Sequence, residues 1–117
     1  PEKLIDTTLS RLPQAHGCHL VDAVYVLYRC LQQTGYRRSE VQKYCVDVMR
    51  LIKTHYRSDG GFSFFQDRSQ THYYQVRVSS GENVSDIHGT CLLLWGLAMT
   101  SEILEEDSFY FGPVFVP

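Results

Sequence analysis

The sequence predicts an all-α fold of two αα-hairpins, the second of which carries a long loop opening with Asp59-Gly60-Gly61-Phe62. Three observations lead there. Apolar residues recur at helical spacing in four separate segments. Two of these segments are apolar almost all round, and each is preceded by a more amphipathic one. Pro13, Gly17, Gly35 and the Gly60-Gly61 pair punctuate the pattern between segments.

The first segment sets Leu4, Ile5, Leu9 and Leu12 on one face before Pro13 and Gly17 end it, so those four should form a buried stripe. The second, from His19 to about Gln33, holds Leu20, Val21, Ala23, Val24, Tyr25, Val26, Leu27, Tyr28, Cys30 and Leu31. A helix of that composition is expected to be buried on every side. Val24 to Val26 would also suit a buried strand, but the length and the Gly35 stop favour helix.

The third segment opens at Ser39 as N-cap, with Gln42 placed as in a capping box, and Arg37 and Arg38 flank its start. Val41, Tyr44, Cys45, Val48, Met49, Ile52 and Tyr56 form one stripe. Glu40, Lys43, Asp47, Arg50, Lys53 and Arg57 lie off it, which predicts an outer helix with one wet face. At Asp59-Gly60-Gly61-Phe62 the glycines permit positive φ and Phe62 can fold back as an anchor. About twenty irregular residues follow, a length that is usually functional or flexible in a compact domain. Tyr73 to Val78 alternates enough for a short extended piece, which Ser79-Ser80-Gly81 ends.

The fourth segment takes Ser85 as N-cap with Asp86 in the first turn. It runs through Ile87, Cys91, Leu92, Leu93, Leu94, Trp95, Leu97, Ala98, Met99 and Ile103, again apolar nearly all round. Acids are disfavoured at a helix C-terminus, so Glu105-Glu106-Asp107 should stop it by Leu104. The chain thus divides into a helical domain, 1–104, and an apolar tail, 105–117, whose Phe109 to Val116 are expected to dock on the domain or on a partner chain.

Composition bounds the function. With 117 residues there is room for one domain, and 44% hydrophobic with 21% charged residues is ordinary for a globular protein. A formal charge of -2 provides no basic field, which argues against nucleic acid and anionic membrane surfaces as partners. Cys18, Cys30, Cys45 and Cys91 form no CxxC pair, and most sit in apolar helical patterns, which fits free thiols in a reducing cytoplasm. No apolar run reaches the roughly 18 residues of a membrane span, and no secretory leader pattern opens the chain. Pro1 rather than Met comes first, which fits a trimmed or excised segment of a longer protein. The sequon at Asn83-Val84-Ser85 is discounted for a cytoplasmic chain.

Setting His19–Tyr28 above Asp86–Trp95 aligns aromatic with aromatic and Leu27 with Leu94, the profile of tandem helical hairpins. With Asp59-Gly60-Gly61-Phe62 between an amphipathic and an apolar helix, residues 39–104 resemble the prenyltransferase and terpenoid-cyclase superfamily. That superfamily builds α/α toroids from such units. The resemblance implies a partial toroid, because a closed one takes several more hairpins than the two present here. It also implies either an isoprenoid-directed enzyme or a noncatalytic relative. The acidic DxDD motif of the cyclases and the DDxxD diphosphate motif are both absent.

In protein prenyltransferases an Asp-x-Cys pair opens the equivalent inner helix and supplies zinc ligands, and here Asp86 and His88 occupy those places. The resemblance therefore implies a candidate zinc set of Asp86, His88, Cys91 and His72; no other cofactor is indicated. The alternative is that Asp86 caps the helix, His88 hydrogen-bonds the Asp59 loop and Cys91 packs. Tyr25, Tyr28, Phe62, Phe64, Phe65, Tyr73, Tyr74 and Trp95, with Asp59 at the loop, are candidates to line an apolar pocket for an isoprenoid-like ligand, or to form core. Asp22, a carboxylate on an apolar helix, must reach water or a partner. Two functional classes follow. The leading one is an interaction or assembly unit that forms a homo-oligomer or joins further hairpins of a longer chain; the other is an isoprenoid enzyme or a segment of one.

Overall fold

The computed structural model describes residues 1–104; the acidic run 105–107 and the apolar tail 109–116 lie outside the described residues. The elements are α1 (Glu2–Leu9), α2 (Gly17–Leu31), α3 (Arg38–Thr54), β1 (His72–Tyr73), β2 (Val76–Arg77) and α4 (Ile87–Ile103). The described chain is mostly helical. Its small antiparallel sheet pairs His72 with Arg77 and Tyr73 with Val76. Tyr74 and Gln75 make the turn between them at positive φ, 48° and 69°.

The two apolar helices, α2 and α4, share the most extensive contact; α1 packs on α2, and α3 on both α2 and α4. Val41, Cys45, Val48 and Ile52 of α3 are fully buried, at the spacing a single helical stripe requires. They meet Leu20, Val21, Val24 and Leu27 from α2 and Leu93, Leu97, Met99 and Ile103 from α4, with Ile5 and Phe62 closing the ends. Each fully buried aliphatic side chain contributes roughly 1.5–3 kcal/mol through removal from water.

Several expectations need correction. Of the expected first stripe only Ile5 is fully buried; Leu4 is exposed on α1 and Leu12 is exposed beyond its end, since only one edge of the helix meets α2 and α3. Neither apolar helix is buried all round among the described residues: Tyr25 on α2 is 43% exposed, and Ile87, Leu94 and Trp95 on α4 are 73%, 41% and 51% exposed. α3 starts two residues earlier than Ser39 as N-cap would set it. Its N-cap is Arg37 at φ 53°, held there by guanidinium contacts to Asp6 at 2.8 Å and Glu40 at 2.5 Å. Gln42 closes no capping box and instead donates to the Ile103 carbonyl at 3.2 Å. Arg57 does not lie on the wet face. Its guanidinium ties the carbonyls of Thr54, His55 and Gln66 and the side chain of Asn83, stapling the end of α3 to the long loop.

Candidate functional site

The long loop is latched onto the start of α4. Gly60 takes φ +94°, which turns the chain so that Asp59 Oδ2 accepts from Ser85 N at 3.0 Å and from Ser85 Oγ at 2.8 Å. Phe62 N donates to Thr90 Oγ1 at 3.0 Å, and its carbonyl accepts from Asp86 N at 3.0 Å. Asp86, not Ser85, is the α4 N-cap. Its carboxylate accepts from Gly89 N at 2.6 Å, and also from Phe64 N at 2.8 Å and Gln70 N at 2.9 Å in the loop. A helix start needs such an acceptor for its free N–H groups, and Asp86 serves two loop amides as well.

Phe64 sits between the starts of both apolar helices. Its carbonyl accepts from Gly17 N at 3.0 Å, which satisfies one of the free amides that the His16 side chain leaves uncapped at α2. His16 meets the Phe64 ring edge-on at a centroid distance of 4.5 Å, and His88 stacks on it at 5.0 Å and 19°. Beside each histidine a glycine admits the loop: a Cβ on Gly17 would lie 2.9 Å from Phe64 Cδ2, and one on Gly89 only 2.4 Å from Phe64 N. His16-Gly17 and His88-Gly89 thus both face Phe64, one pair at the N-cap of α2 and the other inside the first turn of α4. The repeated His-Gly dipeptide at each apolar helix start was the signal available in the sequence.

His55, at the end of α3, is fully buried; its Nδ1–H donates to the Ser63 carbonyl at 2.9 Å. Its Nε2 and the Nδ1 of His16 are buried without a hydrogen-bond partner. Burial pushes both imidazoles below the ordinary value of 6.5, since a proton added at either orphaned nitrogen would find no acceptor. The fold therefore favours neutral rings. Their contribution is fully present above pH 6.5 and is lost as pH falls toward the lower folded values. Arg37 holds Asp6 and Glu40 low, and the Ser85 bonds do the same for Asp59, so their losses lie below the ordinary 3.8 and 4.5. The unfolding free energy in urea should accordingly fall as pH drops below 6.5, with a limiting slope of about 1.4 kcal/mol per pH unit from His55. His55→Gln should flatten that limb; an unchanged slope would remove His55 as its source.

The structure scatters the sequence-selected residues. Tyr73, His88 and Cys91 line an open apolar surface groove of about 240 Å³ with Val78 and Ile87. Tyr74 is exposed at the sheet's turn and meets Tyr73 edge-on at 4.6 Å. Tyr25 and Trp95 contact each other at 5.8 Å on the outer surface of α2 and α4, while Tyr28 donates to Glu102 at 2.9 Å. Phe62 is core, packed edge-on against Tyr56 at 5.5 Å, and Phe65 carries the Arg68 guanidinium over its ring. Asp22 lines a second cavity of about 320 Å³ with Thr7, Arg11, Gln14 and His19.

The four zinc candidates do not gather. The Asp86 oxygens are occupied by backbone N–H groups, His72 lies exposed on β1 beside the Thr71 hydroxyl, and Cys91 is exposed on α4. Among the described residues no three His, Cys, Asp or Glu side chains are arranged to hold a metal ion. His88 bonds not to the Asp59 loop tip but to Gln70, its Nδ1 lying 2.7 Å from Gln70 Oε1. Gln70 and Phe64 escaped selection from the sequence as partners of His88. No described helix is long and apolar enough to cross a membrane. No family model, curated protein or solved structure matches this chain.

Proposed function

We infer that this chain is a helical assembly unit of the α/α toroid type, working by association rather than by catalysis. One observation carries the reading: the two helices of most apolar composition pack on each other yet leave Tyr25, Leu94 and Trp95 open to solvent. In a toroid such helices are covered by neighbouring hairpins, here a second copy or further hairpins of a longer chain. The loop latched to the start of α4 holds that helix rigid and so pre-organises the surface.

Sedimentation velocity across a wide concentration range tests the proposal. Full burial of a large apolar side chain is worth about 1.5–3 kcal/mol, so Leu94→Ser and Trp95→Ser should each weaken association about tenfold or more. A chain that stays monomeric at every concentration, and a parent sequence with no further hairpins, would overturn it.

A second reading is favoured by the open apolar groove between Tyr73, Val78, Ile87, His88 and Cys91, which suits part of an isoprenoid-like ligand of an enzyme or enzyme segment. Its test is retention of a farnesyl-sized mass in native mass spectrometry, lost on Val78→Asp. An unchanged bare mass after incubation with farnesol would count against it.

A further inference from the structure

We propose that His16 and His55 form an acid-triggered release for residues 63–70 of the long loop, in which protonation of the two rings frees that segment from the starts of α2 and α4 while the core between α2, α3 and α4 stays packed. The inference stands apart from the assembly reading. It goes beyond a general loss of stability in acid because it assigns the response to one segment.

The trigger is a pair of orphaned nitrogens. His55 is 0% exposed, and its Nε2, like the Nδ1 of His16, is buried with no hydrogen-bond partner. A neutral ring can leave such a nitrogen unprotonated. An imidazolium carries an N–H there, and a buried charged donor without an acceptor is costly.

The groups facing each ring do not reverse that cost. Around His16, burial is joined by repulsion from His19 on α2, His55 at the end of α3 and His88 on α4. The ring also stands at the N-terminus of α2, where the helix dipole disfavours a cation. From the loop, Arg68 lies over the same Phe65 ring that His16 meets at 5.5 Å, a further positive charge. Around His55, burial outweighs the Ser63 and Phe64 carbonyls, the Asp86 carboxylate and the C-terminal dipole of α3, which favour the charge, and Arg57 opposes it.

The loop is the part that gives way. His16 touches it at the Phe64 ring, 4.5 Å between centroids, and His55 at the Ser63 carbonyl, 2.9 Å away. Gly17 N holds the Phe64 carbonyl at 3.0 Å, and Asp86 holds Phe64 N and Gln70 N. Within residues 63–70 Phe64 alone is a buried hydrophobic side chain, and it lies outside the core cluster that contains Val41, Cys45, Val48 and Ile52. Lifting this segment gives both orphaned nitrogens water without parting the core, and segments with few buried apolar contacts open first.

The sign follows from the rings being held below 6.5 while the loop is closed. Closure is fully favoured above pH 6.5 and weakens as pH falls, by up to about tenfold per pH unit for each histidine. Asp59 is held below its ordinary 3.8, so its loss falls outside this window.

The test is hydrogen exchange on the whole chain, followed by NMR at pH 7, 6 and 5 and corrected for the intrinsic pH dependence of exchange. The amides of Gly17, Phe64 and Gln70 should lose protection by up to about a hundredfold per pH unit below 6.5, and at each pH should be at least about a hundredfold less protected than those of Cys45 and Val48. His16→Asn should leave only the tenfold dependence due to His55, and asparagine, a good N-cap, keeps the start of α2 intact. His55→Gln should leave only that due to His16; if it does not fold, His16→Asn and the native profile still decide. Loop protection that does not change with pH, loop and core amides that open together at every pH, or a His16→Asn profile identical to the native one would each overturn the proposal.

Discussion

Gly89→Ala should destabilise the fold by about 3 kcal/mol, although alanine in a helix ordinarily gains about 1 kcal/mol over glycine. The reversal comes from what the new methyl group would strike. Its ideal position lies 2.4 Å from Phe64 N and 2.6 Å from Ser63 C, both backbone atoms that cannot rotate away. Relief would require moving the loop off α4 and breaking the Phe64 N–H bond to Asp86. Two other glycines calibrate the effect. At Gly17 the methyl would meet the Phe64 ring at 2.9 Å, and a ring can shift, so Gly17→Ala should cost less. At Gly96 the nearest atoms are Ile52 Cδ1 and Val21 Cγ2 at 3.5 Å, ordinary contact, so Gly96→Ala should stabilise by up to about 1 kcal/mol. Urea unfolding followed by circular dichroism ranks all three. If Gly89→Ala proves as stable as Gly96→Ala, the loop does not press on α4 as described.

The parts legible in the sequence are those set by periodicity within one element. The α3 stripe of Val41, Cys45, Val48 and Ile52 can be read directly, because a helix covering a core on one side repeats its apolar residues every turn. The end of α4 before the acidic run and the turn at Asp59-Gly60-Gly61-Phe62 are legible for the same local reasons. What escapes is set by contacts between distant segments. Arg37 begins α3 in a left-handed conformation because Asp6, a helix away, holds its guanidinium. Arg57 reads as surface charge, yet four oxygens from three regions of chain converge on it.

The candidate site divides along the same line. Asp86 and His88 stand out in the sequence by residue type, but the work each does depends on the loop. The carboxylate faces three backbone amides, and the imidazole faces Gln70 and Phe64. Apart from Gly89, none of those partners lies within the helix pattern that drew attention to the pair. The exposure of Leu94 and Trp95 was hidden for a further reason: composition counts apolar residues, whereas burial depends on how many neighbours the described chain supplies.

Asp86→Ala should be the most damaging single substitution, lowering the unfolding free energy by about 4 kcal/mol. The estimate follows from the three N–H groups that would lose their acceptor, those of Gly89 at 2.6 Å, Phe64 at 2.8 Å and Gln70 at 2.9 Å. Asp86 is only 6% exposed, so water cannot readily replace the carboxylate, and each stranded buried donor costs about 1–3 kcal/mol. Loss of an ordinary N-cap alone costs about 1 kcal/mol. Asp59 supplies the contrast: its bonds to Ser85 are exposed to solvent, where water can replace the carboxylate, so Asp59→Ala should cost much less than Asp86→Ala. Asp86→Asn should fall between, because the amide keeps one acceptor oxygen but turns an NH₂ group toward backbone donors. The same three variants separate a structural carboxylate from a metal ligand. If Asp86→Ala cost no more than Asp59→Ala while changing the protein's zinc content, the carboxylate would belong to a metal site and not to the latch between loop and helix.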